Sequence, residues 1–213
     1  MQSNRQGIPQ RDDFWLRLDN AAKIYPAIQS EEMTAVFRLT AALKERVKLR
    51  PFLQSIELLD KRFPYYKMKL HKGFFWYYLQ FYDEPVDVKP DQSSPCRAFG
   101  KQQLVFRILV RENRISVEFS HVLTDGSGGY EYMKSLLLTY FQLSEAIVPD
   151  KTTYLRPGES PATEEMEDAF GRYFQTDLPP PLRIPKSCHL PNYLKPIPRV
   201  TLTAFRIRIP EFM

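Results

Sequence analysis

Eleven of the chain's eighteen prolines lie beyond residue 148, and that distribution decides where regular structure can form. Each proline removes a backbone donor and is excluded from helix interiors and central strands. From Pro149 through Pro179-Pro180-Pro181 to Pro198 the density blocks regular structure, a short helix around Ala162 to Tyr173 aside. Residues 148–197 therefore read as a proline-rich linker, and the core has to come from residues 14–147. Residues 1–13 are polar and read as a frayed or disordered terminus. Arg199 to Ile209 alternates approximately and reads as a strand, the first of a truncated second lobe spanning 198–213.

Inside 14–147 the spacing of apolar residues separates strands from helices. Phe14 to Pro26 keeps no period and reads as an ordered loop that packs its aromatics. Met33 to Leu43 alternates and predicts a strand. Pro51 suits the first turn of a helix whose stripe is Phe52, Leu53, Ile56, Leu59 and Phe63, ended by Pro64. Tyr65 to Leu70 and Phe74 to Phe81 predict a hairpin turning at His71-Lys72-Gly73. Residues 83–101, broken by Pro85, Pro90 and Pro95, read as a surface loop. Gln103 to Arg111 and Arg114 to His121 predict a second hairpin, turning at Glu112-Asn113. Near Gly128 the period changes from 2 to 3.6, and Tyr130, Met133, Leu136, Leu137, Tyr140 and Phe141 form one helical face. This order predicts an α+β fold: a two-layer α/β sandwich with a largely antiparallel mixed sheet covered by helices.

Composition narrows the function. Hydrophobic residues make up 43% and aromatics 14%, enough for a deep core. The net charge of +5 tolerates an anionic ligand, yet no compact basic block points to nucleic acid. Cys96 and Cys188 match no metal or redox spacing and read as reduced thiols. The N-terminus lacks an apolar signal core, and no apolar run approaches the ~18 residues of a membrane span. The expected location is cytoplasmic, with no transmembrane segment and no metal.

The chemistry concentrates in Phe119-Ser120-His121-Val122-Leu123-Thr124-Asp125-Gly126-Ser127-Gly128-Gly129. Alternation puts His121 on the face of Ile115, Val117 and Phe119, at the end of a buried strand. An imidazole ordinarily titrates near pH ~6.5, which suits a general base. Gly126, Gly128 and Gly129 permit a sharp turn and close approach of a substrate, and the helix that follows starts with free amides. Spacing alone leaves a second reading open: a core histidine, with Asp125 as a helix N-cap. His71, in a turn, and His189, among prolines, read as structural or incidental. Tyr65, Tyr66, Trp76, Tyr77 and Tyr78 fit core packing better than a pocket lining.

His121-Val122-Leu123-Thr124-Asp125-Gly126 resembles the HxxxDG motif of the chloramphenicol-acetyltransferase-like superfamily, which includes condensation domains and alcohol acetyltransferases. The segments Leu18 to Pro26 and Arg62-Phe63-Pro64-Tyr65-Tyr66 look most like alcohol-acetyltransferase-like members. The resemblance covers residues 14–143 and implies the N-terminal lobe of a two-lobed acyltransferase. It implies His121 as the base acting on a hydroxyl or amine acceptor, with acyl-CoA (acetyl-CoA) as co-substrate and no permanently bound cofactor. It implies that Asp125 pairs with an arginine, Arg62 first, Arg38 or Arg107 otherwise, and that Gly126 packs closely beside the histidine. Ser127 is a candidate contact to an oxyanion or substrate. Many members carry two consecutive histidines, where this chain has Ser120 before His121. The chain is also half the expected length, which implies a missing C-terminal lobe or a second subunit. The competing expectation is a non-catalytic binding or assembly module, or an inactive fragment, that keeps the fold.

Overall fold

The computed structural model describes residues 14–31, 33–92, 94–145 and 153–176. The expected frayed terminus, the later part of the linker and the strand at 199–209 lie outside the described residues. In chain order the elements are β1 (Trp15–Arg17), α1 (Tyr25–Ile28), β2 (Val36–Ala42), α2 (Leu49–Arg62), β3 (Met68–Lys72) and β4 (Tyr77–Phe81). They continue with β5 (Val88–Pro90), β6 (Phe106–Arg111), β7 (Arg114–Ser120), α3 (Gly126–Leu143) and α4 (Phe170–Tyr173).

The strands form two sheets. The larger has the order β2-β7-β6-β5, antiparallel except for the parallel β5–β6 pair, and the smaller has the order β1-β4-β3. The larger sheet carries the main core. Phe106, Ile108, Ile115, Val117 and Phe119 face Phe52, Ile56 and Leu59 of α2 and Tyr132, Met133 and Leu136 of α3. All of these side chains are buried, and deleting one as large as Phe119 would cost about 3–5 kcal/mol. A second cluster, with Leu18, Met68, Leu79, Phe81, Val105 and Val122, backs the smaller sheet. The sheets are tied by backbone: Val105 N–H donates to the Met68 carbonyl and Ser120 N–H to the Val105 carbonyl, both at 2.9 Å. The molecule is the expected α+β lobe, with its sheet divided in two.

Three expectations change. Phe14 to Pro26 is not all loop, because Trp15, Leu16 and Arg17 pair with Gln80, Leu79 and Tyr78 as an edge strand. The first hairpin turns later than expected: β3 runs through Lys72, and Gly73 N–H reaches the Trp76 carbonyl at 2.8 Å, so Phe74 to Trp76 form the tip. The 83–101 loop contributes an edge strand ending in Pro90, a position where no ladder donor is needed. Its remainder covers the back of the larger sheet, where Ser116, Glu118 and Ser120 are as buried as the core face. That burial hides the polar half of β7's alternation.

Residues 153–174 of the proline-rich segment belong to the same compact unit as the lobe, which extends to Phe174. Tyr154 is buried and its hydroxyl donates to Gln142 at 2.8 Å. A 3-10 turn (Thr163–Met166) and α4 stand where a single short helix was expected.

Candidate functional site

His121 is the first residue after β7, in the turn that leads to α3. Phe119 before it belongs to the main core, Val122 after it to the second cluster, and Leu123 packs against both. The histidine is thus carried on the seam of two cores, a stiff mounting. Its own N–H donates to the Ala35 carbonyl at 2.9 Å. Ala35 has φ 50°, a left-handed backbone that costs an alanine about 1–2 kcal/mol.

The imidazole is part-buried and held by rings. It stacks on Tyr25 at 4.8 Å between centroids and lies tilted against Phe37 at 4.6 Å. Neither ring nitrogen hydrogen-bonds to a described residue. A ring fixed on its faces, with no hydrogen bond from its nitrogens to the described residues, can exchange a proton.

Asp125 is the N-cap of α3. Its carboxylate accepts from Gly128 N–H at 2.8 Å, and the helix proper starts at Gly126. Among the described residues, Asp125 meets no arginine, so the expected pair with Arg62, Arg38 or Arg107 is not seen there. Arg62, almost fully buried, meets Glu165 through two hydrogen bonds of 2.9 and 2.8 Å, and Tyr65 donates to the same carboxylate. Burial works to raise the Glu165 pKa, but the hydrogen bonds from Arg62 and Tyr65 outweigh it and hold the carboxyl below its ordinary value. Arg38 and Arg107 are engaged elsewhere. Strand register puts both opposite Glu118, whose buried carboxylate they bind at 2.9 and 2.6 Å. Three charges then neutralise in part on the back of the sheet, with Asp91 3.5 Å from Arg38.

Gly126 has open space where a Cβ would stand, so close packing does not require glycine there. The glycines that matter are the next two. A Cβ on Gly128 would fall 2.2 Å from Thr124 Oγ1, which accepts a 3.3 Å hydrogen bond from buried Tyr66. A Cβ on Gly129 would meet the rings of Phe37 at 3.0 Å and Phe119 at 3.2 Å. Gly129 therefore lets α3 approach the ring that touches His121. Ser127 is exposed in the first turn of α3, and the amides of Gly126 and Ser127 have no partner among the described residues.

His71 is structural, stacked on Tyr78 and Tyr82 and 3.1 Å from the Tyr82 hydroxyl. Tyr66 is core, whereas Trp76 is exposed. Cys96 is part-buried, with burial and then Glu118 pushing its thiol pKa up. Cys188 and His189 lie outside the described residues. Among the described residues, no group of three or more His, Cys, Asp or Glu side chains is placed to hold a metal ion. No helix of the described residues is long and apolar enough to cross a membrane. Tyr25, Ala35, Phe37 and Glu165 were not foreseen at the site. Only Tyr25, beside Pro26 and ending an apolar run, carried any local signal.

No protein-family model matches the chain, and no curated protein matches it. Solved structures do. A double mutant of the starter condensation domain of rhizomide synthetase RzmA, in complex with C8-CoA, is similar at a TM-score of 0.50 and 10% identity. The match covers 64% of this chain and 38% of that chain. The lobe has the condensation-domain fold. A chain of the complex of the X-domain and OxyB from teicoplanin biosynthesis is similar at a TM-score of 0.50 and 11% identity, over 68% of this chain and 36% of that chain. The condensation-domain-like lobe thus spans under two fifths of the length of either structure, and at such identities the likeness is one of fold.

Proposed function

We propose that this chain is the N-terminal lobe of an acyl-CoA-dependent acyltransferase, similar to alcohol O-acetyltransferases, acting on a hydroxyl or an amine. The observation that carries the reading is His121, face-held by Tyr25 and Phe37 on the seam of two cores, with neither ring nitrogen hydrogen-bonded to a described residue. The imidazole takes the proton of the acceptor O–H or N–H as the acceptor atom attacks the thioester carbonyl. The tetrahedral oxyanion then collapses, expelling the coenzyme A thiolate, which receives the proton back from the imidazolium. The Gly126 and Ser127 amides at the start of α3 and the Ser127 hydroxyl are the candidate donors to the oxyanion. Asp125 fixes the helix that carries them. A second lobe or subunit supplies the other wall and the coenzyme A contacts, and acetyl-CoA is the expected donor.

The reading is tested by incubating the protein, with its second lobe or subunit, with acetyl-CoA and a panel of alcohols and amines while monitoring free thiol. Acceptor-dependent thiol release with formation of the ester or amide supports it. Absence of turnover with every acceptor class, in protein that binds acyl-CoA, supports the second reading, a non-catalytic binding or assembly module. The observation favouring that second reading is Asp125, which meets backbone and, among the described residues, no arginine.

A further inference from the structure

Three consecutive aromatic side chains stand in solvent at the tip of the β3–β4 hairpin: Phe74 is 92% exposed, Phe75 81% and Trp76 59%. Trp15, on the neighbouring edge strand β1, is 52% exposed and meets Tyr78 edge-on at 6.3 Å. The tip is ordered. Phe74 packs edge-to-face on Phe75 at 4.6 Å, and Phe75 stacks on Trp76 at 6.2 Å. Gly73 closes the turn, and a Cβ there would stand 3.0 Å from the Trp76 carbonyl oxygen.

Cations surround these rings. Arg17 and Lys23 line a cavity of about 740 Å³ together with Trp15, Phe75 and Trp76. Lys72 stands at the base of the tip, 6.0 Å from the Tyr77 ring. None of the three forms an ion pair with a described residue, although Lys23 donates to Asn20 at 2.7 Å. Asp168, an acid lining the cavity, already accepts from the Asn20 and Phe170 amides.

We propose that this hairpin tip is a peripheral membrane-binding element: Phe74, Phe75 and Trp76 enter the interfacial layer of an anionic bilayer, and Arg17, Lys23 and Lys72 meet lipid phosphates. A patch of large exposed apolar side chains on an ordered turn marks an interaction site. Its chemistry distinguishes a lipid surface from a protein. Aromatic residues and arginine suit a protein interface as well, but its core is depleted in lysine, and it is Lys23 and Lys72 beside the rings that suit a bilayer surface. A projecting wedge also needs no matching recess in a fluid interface. Cations that have no ion-pair partner among the described residues stand beside the wedge and complement anionic headgroups. This inference is independent of the catalytic reading.

Both tryptophans of the chain, Trp15 and Trp76, belong to the patch, so intrinsic fluorescence reports on it directly. The full chain is mixed with vesicles of phosphatidylcholine containing phosphatidylglycerol, and separately with phosphatidylcholine alone. Expected are a blue-shifted emission and co-sedimentation with the anionic vesicles, weakened by salt and by the neutral vesicles. The double variant Phe74→Ser, Phe75→Ser should lower the partition coefficient roughly tenfold or more. Its circular dichroism and melting should not change, because both side chains are in solvent. Absence of binding, or equal binding by the double variant, overturns the proposal. So does a blue shift that grows with protein concentration without lipid, which would make the patch an interface between copies of the chain.

Discussion

Asp125 uses its carboxylate on the backbone of Gly128, and that leaves the buried Arg62 to Glu165. Two measurable differences follow. Removing the cap by Asp125→Ala should cost about 1 kcal/mol of stability, the ordinary value for an N-cap. Removing Glu165 strands a nearly buried guanidinium and should cost about 3–5 kcal/mol. In double-mutant cycles by chemical denaturation, Arg62 should couple to Glu165 and be additive with Asp125 within ~0.5 kcal/mol. Coupling of Arg62 to Asp125 would contradict the assignment. The pH dependence has a definite sign. The folded-state pKa of Glu165 lies below its ordinary value, so the tie contributes fully above that ordinary value and is lost as pH falls through the folded one. Hydrogen exchange of residues 162–166 should therefore rise under acid before the β7 core opens, and equal protection at both pH values would contradict this. Gly129→Ala presses on two rigid rings and should destabilise by about 1–3 kcal/mol while disturbing the His121 environment in NMR spectra.

At the scale of elements, β7 organises the lobe because both of its faces are buried. On the core face, Ile115, Val117 and Phe119 were legible from alternation. On the back, Glu118 bridges Arg38 of β2 and Arg107 of β6, so Glu118→Ala should cost about 3–5 kcal/mol, read from the denaturation midpoint. That network was not legible. Its members are 80 and 11 residues apart, and only strand register brings them opposite one another. The same cause explains why Arg38 and Arg107 stood as partners for Asp125: their side chains were known, their neighbours were not. Long periodic elements such as α2, β2, β7 and α3 could be read because their apolar residues recur along a local repeat. The three-residue strands β1 and β5 could not, since so short a segment shows no period. The late turn of the first hairpin was missed for a related reason. Aromatic residues favour strands, and Phe74 to Trp76 are at the tip in spite of that preference.

At the scale of the whole molecule, the proposal makes the described lobe one wall of a site, mounted on two cores. The described lobe supplies a stiff carrier, a face-held imidazole and a helix N-terminus, and it spans under two fifths of the length of the structures it resembles. The spacing of His121, Asp125 and Gly126 carried the expectation of chemistry at the site. What could not be read was its support: Tyr25 lies 96 positions from His121 and Phe37 lies 84 away, and nothing local links them. The central claim is that His121 moves the proton of an acceptor during acyl transfer. The most direct measurement is kcat/KM for thiol release from acetyl-CoA by the two-lobed protein and by His121→Ala, with folding of both checked by melting. A general base is worth typically ~10²–10⁴-fold, so the variant should lose activity by that factor and keep its melting temperature within a few degrees. A folded His121→Ala protein that turns over at the parent rate would contradict the account.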